Sequence, residues 1–123
     1  MNLPLLYAAS GLTGLWGIAH LFATGEVVAG FSDPTPDNRH IITMEWIVEG
    51  VALVSLAAFV LVATLIEPQS ALASAVFAVA AGTLLVLALV SLFTGFRVGF
   101  FPYKLCPFIF VVSAALIVWG VWW

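Results

Sequence analysis

Long apolar runs separated by short polar breaks organise the chain. The first run extends from Leu3 to about Ala29, and its polar positions, His20, Thr24 and Glu26, gather towards its end. The break from Phe31 to His40 contains Asp33, Pro34, Pro36, Asp37, Asn38 and Arg39, which is loop chemistry. Asp37 or Asn38 is placed to cap the helix that follows. The second run covers Ile41 to Ile66 and carries Glu45 and Glu49 near its start. Glu67-Pro68-Gln69-Ser70 is a tight connection, with Pro68 suited to a first helical turn. The third run, Ala71 to Thr94, is polar only at Ser74, Thr83 and Ser91, and Gly95 reads as its C-terminal cap. Phe96 to Lys104 is aromatic and basic, a composition typical of a membrane interface. The fourth run, Leu105 to Trp123, has Pro107 in its first turn and an aromatic anchor of Trp119, Trp122 and Trp123 at its far end.

These runs are continuous and do not alternate, so they predict helices and not barrel strands. Each reaches the roughly 20 residues that a transmembrane helix needs. Short connections predict an all-α, up-down-up-down four-helix bundle, integral to the membrane, with residues 1–123 as one domain. Composition supports this. Hydrophobic residues make up 64% of the chain and charged residues 7%, with a mean hydropathy of +1.23. Soluble domains carry about 25% charged residues. A soluble enzyme, a nucleic-acid binder and a disordered tail are therefore excluded. The net charge is −3, with no basic patch to grip phosphate. The single cysteine excludes an internal disulfide and a multi-cysteine metal cluster. The first run has no positive leading region and no cleavage site before a soluble domain, so it reads as a span and not a signal peptide. Arg39, Arg97 and Lys104 all follow spans one and three. The positive-inside rule then puts those loops in the cytoplasm and both termini outside, with a bacterial inner membrane as the expected location.

The polar residues cluster. In an up-down bundle, His20, Thr24, Glu26, His40, Glu45, Glu49, Arg97, Tyr103, Lys104 and Cys106 fall in one half, and the other half holds only Glu67 as an ionisable group. Glu45 and Glu49 share a helix face about 6 Å apart along the axis. With a helix starting near Ile41, Glu49 lies about 12 Å inside a hydrocarbon core of about 30 Å. A charge there costs a few kcal/mol, so Glu49 must face the bundle and be paired, hydrated or protonated. Such a carboxyl suits proton donation or acceptance. Equally, it pairs with Arg97 or His20 and only fixes the packing. His20 reads as a general acid/base, a metal or haem ligand, or a hydrogen-bonded partner for Glu45 or Glu49. His40 reads as an interfacial residue, too superficial for a matched haem ligand. His20, His40, Glu45 and Glu49 contain metal-binding atoms, but the Glu-x-x-His motif of a di-iron bundle is absent, and no metal or cofactor is assigned. Arg97 and Lys104 read as interfacial anchors, or as contacts for an anionic head group. Cys106 reads as a small buried apolar residue.

Gly11, Gly14 and Gly17 recur every three residues, and Ala71, Ala75 and the 78–81 stretch smooth the third span. Such faces let helices approach closely, and they serve a homodimer or a larger complex equally well.

With span two reading Met44-Glu45-Trp46-Ile47-Val48-Glu49-Gly50 and span four opening Pro102-Tyr103-Lys104-Leu105-Cys106-Pro107, the chain resembles the small DoxX-like membrane proteins. The resemblance covers helix count, length and the glutamate-glycine pattern of the second helix. It implies a four-helix membrane fold and no single activity.

Together these features predict a polar intramembrane pocket for a lipid, quinone, sterol or isoprenoid drawn from the bilayer. Glu45, Glu49 and His20 are the expected proton-active groups. Thr24, Glu26, His40, Trp46, Arg97, Tyr103 and Lys104 are the expected lining. Proton-transfer chemistry of the isomerase type suits such a site, and no Ser-His-Asp pattern supports nucleophilic attack. An accessory subunit of a larger membrane complex is the alternative. Transport of protons or a small solute by a homo-oligomer is a third, although no inverted repeat of the transporter type is visible.

Overall fold

The computed structural model describes residues 1–123 and contains four long helices. They are α1 (Leu3–Ala29), α2 (Pro36–Ile66), α3 (Ala71–Phe93) and α4 (Phe101–Trp122), with a short 3-10 turn over Gly95–Arg97. There are no strands, and all four helices are long and apolar enough to cross a membrane. The chain is a multi-pass integral membrane protein with an all-α four-helix bundle fold.

Local chemistry explains where each helix starts. Pro36 occupies the first turn of α2, where a missing N–H costs nothing, and the Thr35 hydroxyl accepts from the Asn38 N–H at 3.2 Å. Asp37 adds a favourable charge at the positive end of the helix. The helix therefore begins at its cap, five residues before the apolar run, and Asp37 and Asn38 lie inside it. Ser70 caps α3 by accepting from the Ala73 N–H at 3.0 Å. Pro102 starts α4 in the same way as Pro36 starts α2, so α4 opens at Phe101 and not at Leu105. Gly95 does not close α3 alone. Thr94 caps that helix, and Gly95 leads into the 3-10 turn.

The helices alternate in direction, as short connections require. The α1–α2 pairing is the most extensive, followed by α3–α4 and α1–α4. The α2–α3 pairing is sparse. Leu6, Leu53, Phe77, Leu84, Phe110 and Ile117 fill the centre. Large apolar side chains such as Phe22, Phe59, Ile66 and Leu72 point outward and are strongly exposed. A soluble protein would not tolerate so much exposed apolar surface. A bilayer accepts it.

One crossing is tighter than the others. A Cβ on Gly17 would lie 2.9 Å from the Gly50 carbonyl oxygen, the Leu53 Cβ and the Val54 nitrogen. A Cβ on Gly50 would meet the Leu21 side chain at 2.7 Å and the Gly17 carbonyl oxygen at 3.0 Å. The two backbones touch, and the atoms in the way at Gly17 are mostly backbone and cannot swing aside. Two turns further along, the Ser10 hydroxyl clips α1 to α2 by donating to the Ala57 carbonyl at 2.8 Å.

Gly17→Ala should therefore overpack this crossing and destabilise the protein by about 1–3 kcal/mol. Gly11→Ala is the control, because nothing lies within 4 Å of a Cβ built there. Any gain in helix propensity, about 1 kcal/mol, applies to both. Unfolding in detergent followed by circular dichroism should show Gly17→Ala clearly below Gly11→Ala. Equal stability would show that the crossing can open without loss.

Candidate functional site

The tight crossing lies within one turn of His20 on α1 and beside Glu49 on α2. His20 is buried at 4% exposure. Its Nε2 lies 3.5 Å from Glu49 Oε1, the one ion pair in the structure. Glu49 itself stays partly exposed.

The other nitrogen of His20 fixes the chemistry of this pair. Nδ1 sits 3.0 Å from the Trp16 carbonyl oxygen, one helical turn back. A carbonyl only accepts, so Nδ1 carries the hydrogen. Nε2 then has two states. As part of a neutral imidazole it accepts a proton from a protonated Glu49. As part of an imidazolium it donates to the Glu49 carboxylate. The pair can hold one proton on either partner.

Aromatic rings enclose the imidazole. Trp46 stacks on it, with centroids 4.8 Å apart and planes inclined by 23°. Trp16 meets it edge-on at 5.5 Å. Tyr103, from α4, meets Trp46 edge-on at 5.4 Å. The Trp46 indole N–H donates to the His20 carbonyl at 2.7 Å, and the Thr24 hydroxyl donates to the same oxygen at 3.1 Å. The His20 segment is thus held from both α1 and α2.

Cavities surround the pair. A cleft of about 540 Å³ opens along the sparse α2–α3 seam. Its walls include Glu45, Trp46 and Glu49 from α2, Thr83 and Leu87 from α3, and Tyr103 from α4. A cavity of about 300 Å³ lies on the α1–α4 side, with Trp16, His20, Glu26, Tyr103 and Cys106 in its walls. A further space of about 320 Å³ has both His20 and Glu49 in its walls, together with Ser91, Thr94 and Cys106. The pair therefore borders both sides of the bundle.

The structure brings His20, Glu49, Trp46 and Tyr103 into one cluster. Glu45 lies one turn away in the α2–α3 cleft, exposed and without a basic partner. Glu26 is exposed and borders the α1–α4 cavity. Thr24 holds the His20 carbonyl and lines none of these cavities. His40 and Arg97 are exposed and stand apart from the cluster. The Lys104 ammonium lies 6.0 Å from the centre of the Phe96 ring and also stands apart. The glutamate pairing expected with Arg97 or His20 is made by His20. No group of three or more His, Cys, Asp or Glu side chains comes together in the way a metal ion requires.

One neighbour of His20 is not among the residues that the sequence pattern singles out. Trp16 supplies the carbonyl that fixes the tautomer, and its own indole N–H is buried without an acceptor. Its spacing, four residues before His20 on one helix, was the available signal. Cys106 is buried in the apolar core, as expected of it, and it also borders two of the cavities beside His20. Only the pairing of α1 with α4 places it there.

Compared with known proteins, the chain matches no family model, no curated protein and no solved structure.

The Trp16 contact predicts that His20 always bears hydrogen on Nδ1. Nitrogen NMR of ring-labelled histidine should show either the Nδ1–H tautomer or the imidazolium for His20, in wild type and in Glu49→Gln. A neutral ring protonated only at Nε2 would contradict the geometry.

Proposed function

We propose that this membrane protein binds an amphiphile drawn from the bilayer, with the His20–Glu49 pair as its proton-active centre. The observation that carries this reading is the 3.5 Å approach of Nε2 to Oε1, bordered by a cleft that opens along the α2–α3 seam. The depth of the pair supports it. The 31 residues of α2 make a helix about 46 Å long, well beyond a core of about 30 Å. With equal overhang at both ends, Glu49 lies about 12 Å inside the core. Ionisable groups at such depth are expensive to keep and default to a functional role.

The chemistry that fits is proton transfer. The imidazolium gives a proton to one carbon of a double bond, and a carboxylate removes one from the carbon beyond the other end of that bond, so the double bond shifts by one position. The net change is an isomerisation, with proton and charge balanced. Burial of the His20 imidazole against Trp46 and Trp16 favours this over hydrolysis. Membership of the DoxX-like group belongs to the same proposal and rests on helix count, length and the Glu49-Gly50 pattern.

Arg39, Arg97 and Lys104 sit at the bundle end formed by the first and third connections. We place that end in the cytoplasm of a bacterial cell, with the termini outside.

Native mass spectrometry in mild detergent should show a discrete small-molecule adduct on wild type that Glu49→Gln loses while its yield stays normal. Retention of the adduct by Glu49→Gln would remove Glu49 from the site. A protein partner at fixed stoichiometry, with no adduct, would make this an accessory subunit and the pair structural. For orientation, Ser32→Cys in a Cys106→Ser background should resist an impermeant thiol reagent in intact spheroplasts and react in inverted vesicles. The opposite pattern would reverse the topology.

A further inference from the structure

The walls of the cavities are unbalanced in charge. Glu45 and Glu49 border the α2–α3 cleft, and Glu26 borders the α1–α4 cavity. Against these carboxylates stands a single imidazole, His20, already paired with Glu49. No lysine or arginine lines any of these spaces. Glu45 in particular has no basic partner. A phosphate or carboxylate head group would enter against like charge.

The uncharged part of the cleft wall adds a second requirement. Trp46 and Tyr103 stand beside the two glutamates, and Phe31 closes the loop side. Aromatic side chains beside carboxylates suit an ammonium better than an anion.

The seam also has a tail. The α2–α3 cleft reaches Leu53 and Leu56. Leu56 then borders a second, wholly apolar recess of about 310 Å³, whose walls include Phe59, Ala75, Val79 and Ala80. Ala75 and Ala80 leave the room that larger side chains would fill. From Glu45 to Phe59 the two spaces, which share Leu56 as a wall, together follow α2 for about 21 Å. This groove is acidic and aromatic at one end and apolar at the other.

We propose that the α2–α3 groove takes a cationic amphiphile, an ammonium head on one long linear alkyl chain. The head lies between Glu45, Glu49, Trp46 and Tyr103, and the chain runs past Leu56 towards Ala75. This rests on the ligand-pocket reading above and names the ligand's charge and shape.

The test uses the full chain in an uncharged maltoside detergent. Three probes share one alkyl chain brominated next to the head, within reach of Trp46, and differ in the head: trimethylammonium, hydroxyl or carboxylate. Bromine quenches tryptophan fluorescence on contact. The ammonium probe should quench saturably and bind at least about tenfold more tightly than the carboxylate probe. The Glu45→Gln/Glu49→Gln double variant should bring that ratio near one, and Trp46→Phe should remove most of the saturable signal. An alcohol or carboxylate that binds wild type as tightly as the ammonium overturns the proposal and leaves the pocket standing. Absence of saturable quenching by all three probes overturns the pocket as well. The comparison among probes is made on wild type, so it holds even where a variant fails to fold.

Discussion

The close contact of Gly17 with Gly50 is the constraint on which the rest of the arrangement depends. With no side chain at either position, α1 and α2 meet at backbone distance. His20 is one turn from that contact and Glu49 is the next residue to it. An ångström of added separation would take Nε2 and Oε1 out of reach of each other. The same approach lets the Trp46 indole N–H, from α2, donate to the His20 carbonyl on α1. Small residues at a helix crossing are usually discussed as packing devices. Here the packing also sets the geometry of a titratable pair.

The surroundings of His20 follow from the cost of leaving polar groups unpaired in apolar surroundings. The Nδ1 hydrogen goes to the Trp16 carbonyl, and Nε2 faces Glu49. The His20 carbonyl accepts from Trp46 and Thr24. Nearly every donor and acceptor near the ring has a partner, so the ring has a defined orientation and tautomer. The exception is the Trp16 indole N–H, which is buried without an acceptor. Glu49 is different in kind, since it is partly exposed towards the cleft. A rigid imidazole beside a reachable carboxylate gives a pair with one fixed and one accessible member.

Unequal packing around the bundle explains why a cleft exists at all. Helices α1 and α2 are drawn together by their glycines, and α3 and α4 form the second strong neighbouring pair. The α1–α4 contact joins the two pairs, with the Asn2 N–H donating to the Gly120 carbonyl at 2.7 Å and Gly120 pressed against Leu6. Nothing comparable draws α2 to α3, and the seam between them stays open. The glutamates of α2 lie on that seam because their four-residue spacing puts both on one face.

The sequence by itself determined the membrane setting, the number of helices and the half of the bundle that holds the polar groups. Uninterrupted apolar runs and a near absence of charge leave a bilayer as the only compatible solvent, and short connections leave only an up-down order. The i, i+4 spacing of Glu45 and Glu49 was legible for the same reason, since it is set within one helix. Helix starts were less legible, because capping by Thr35 and the Pro36 and Pro102 positions extends α2 and α4 beyond their apolar runs. What only the tertiary structure decided is which helices touch, and at what height. Periodicity does not reveal that Gly17 meets Gly50, that Nε2 of His20 reaches Glu49 and not Glu45, or that Cys106 comes to the same cavities. Those contacts depend on the rotation and depth of separate helices, fixed to within an ångström by shape at their crossings, and no spacing within one helix records them.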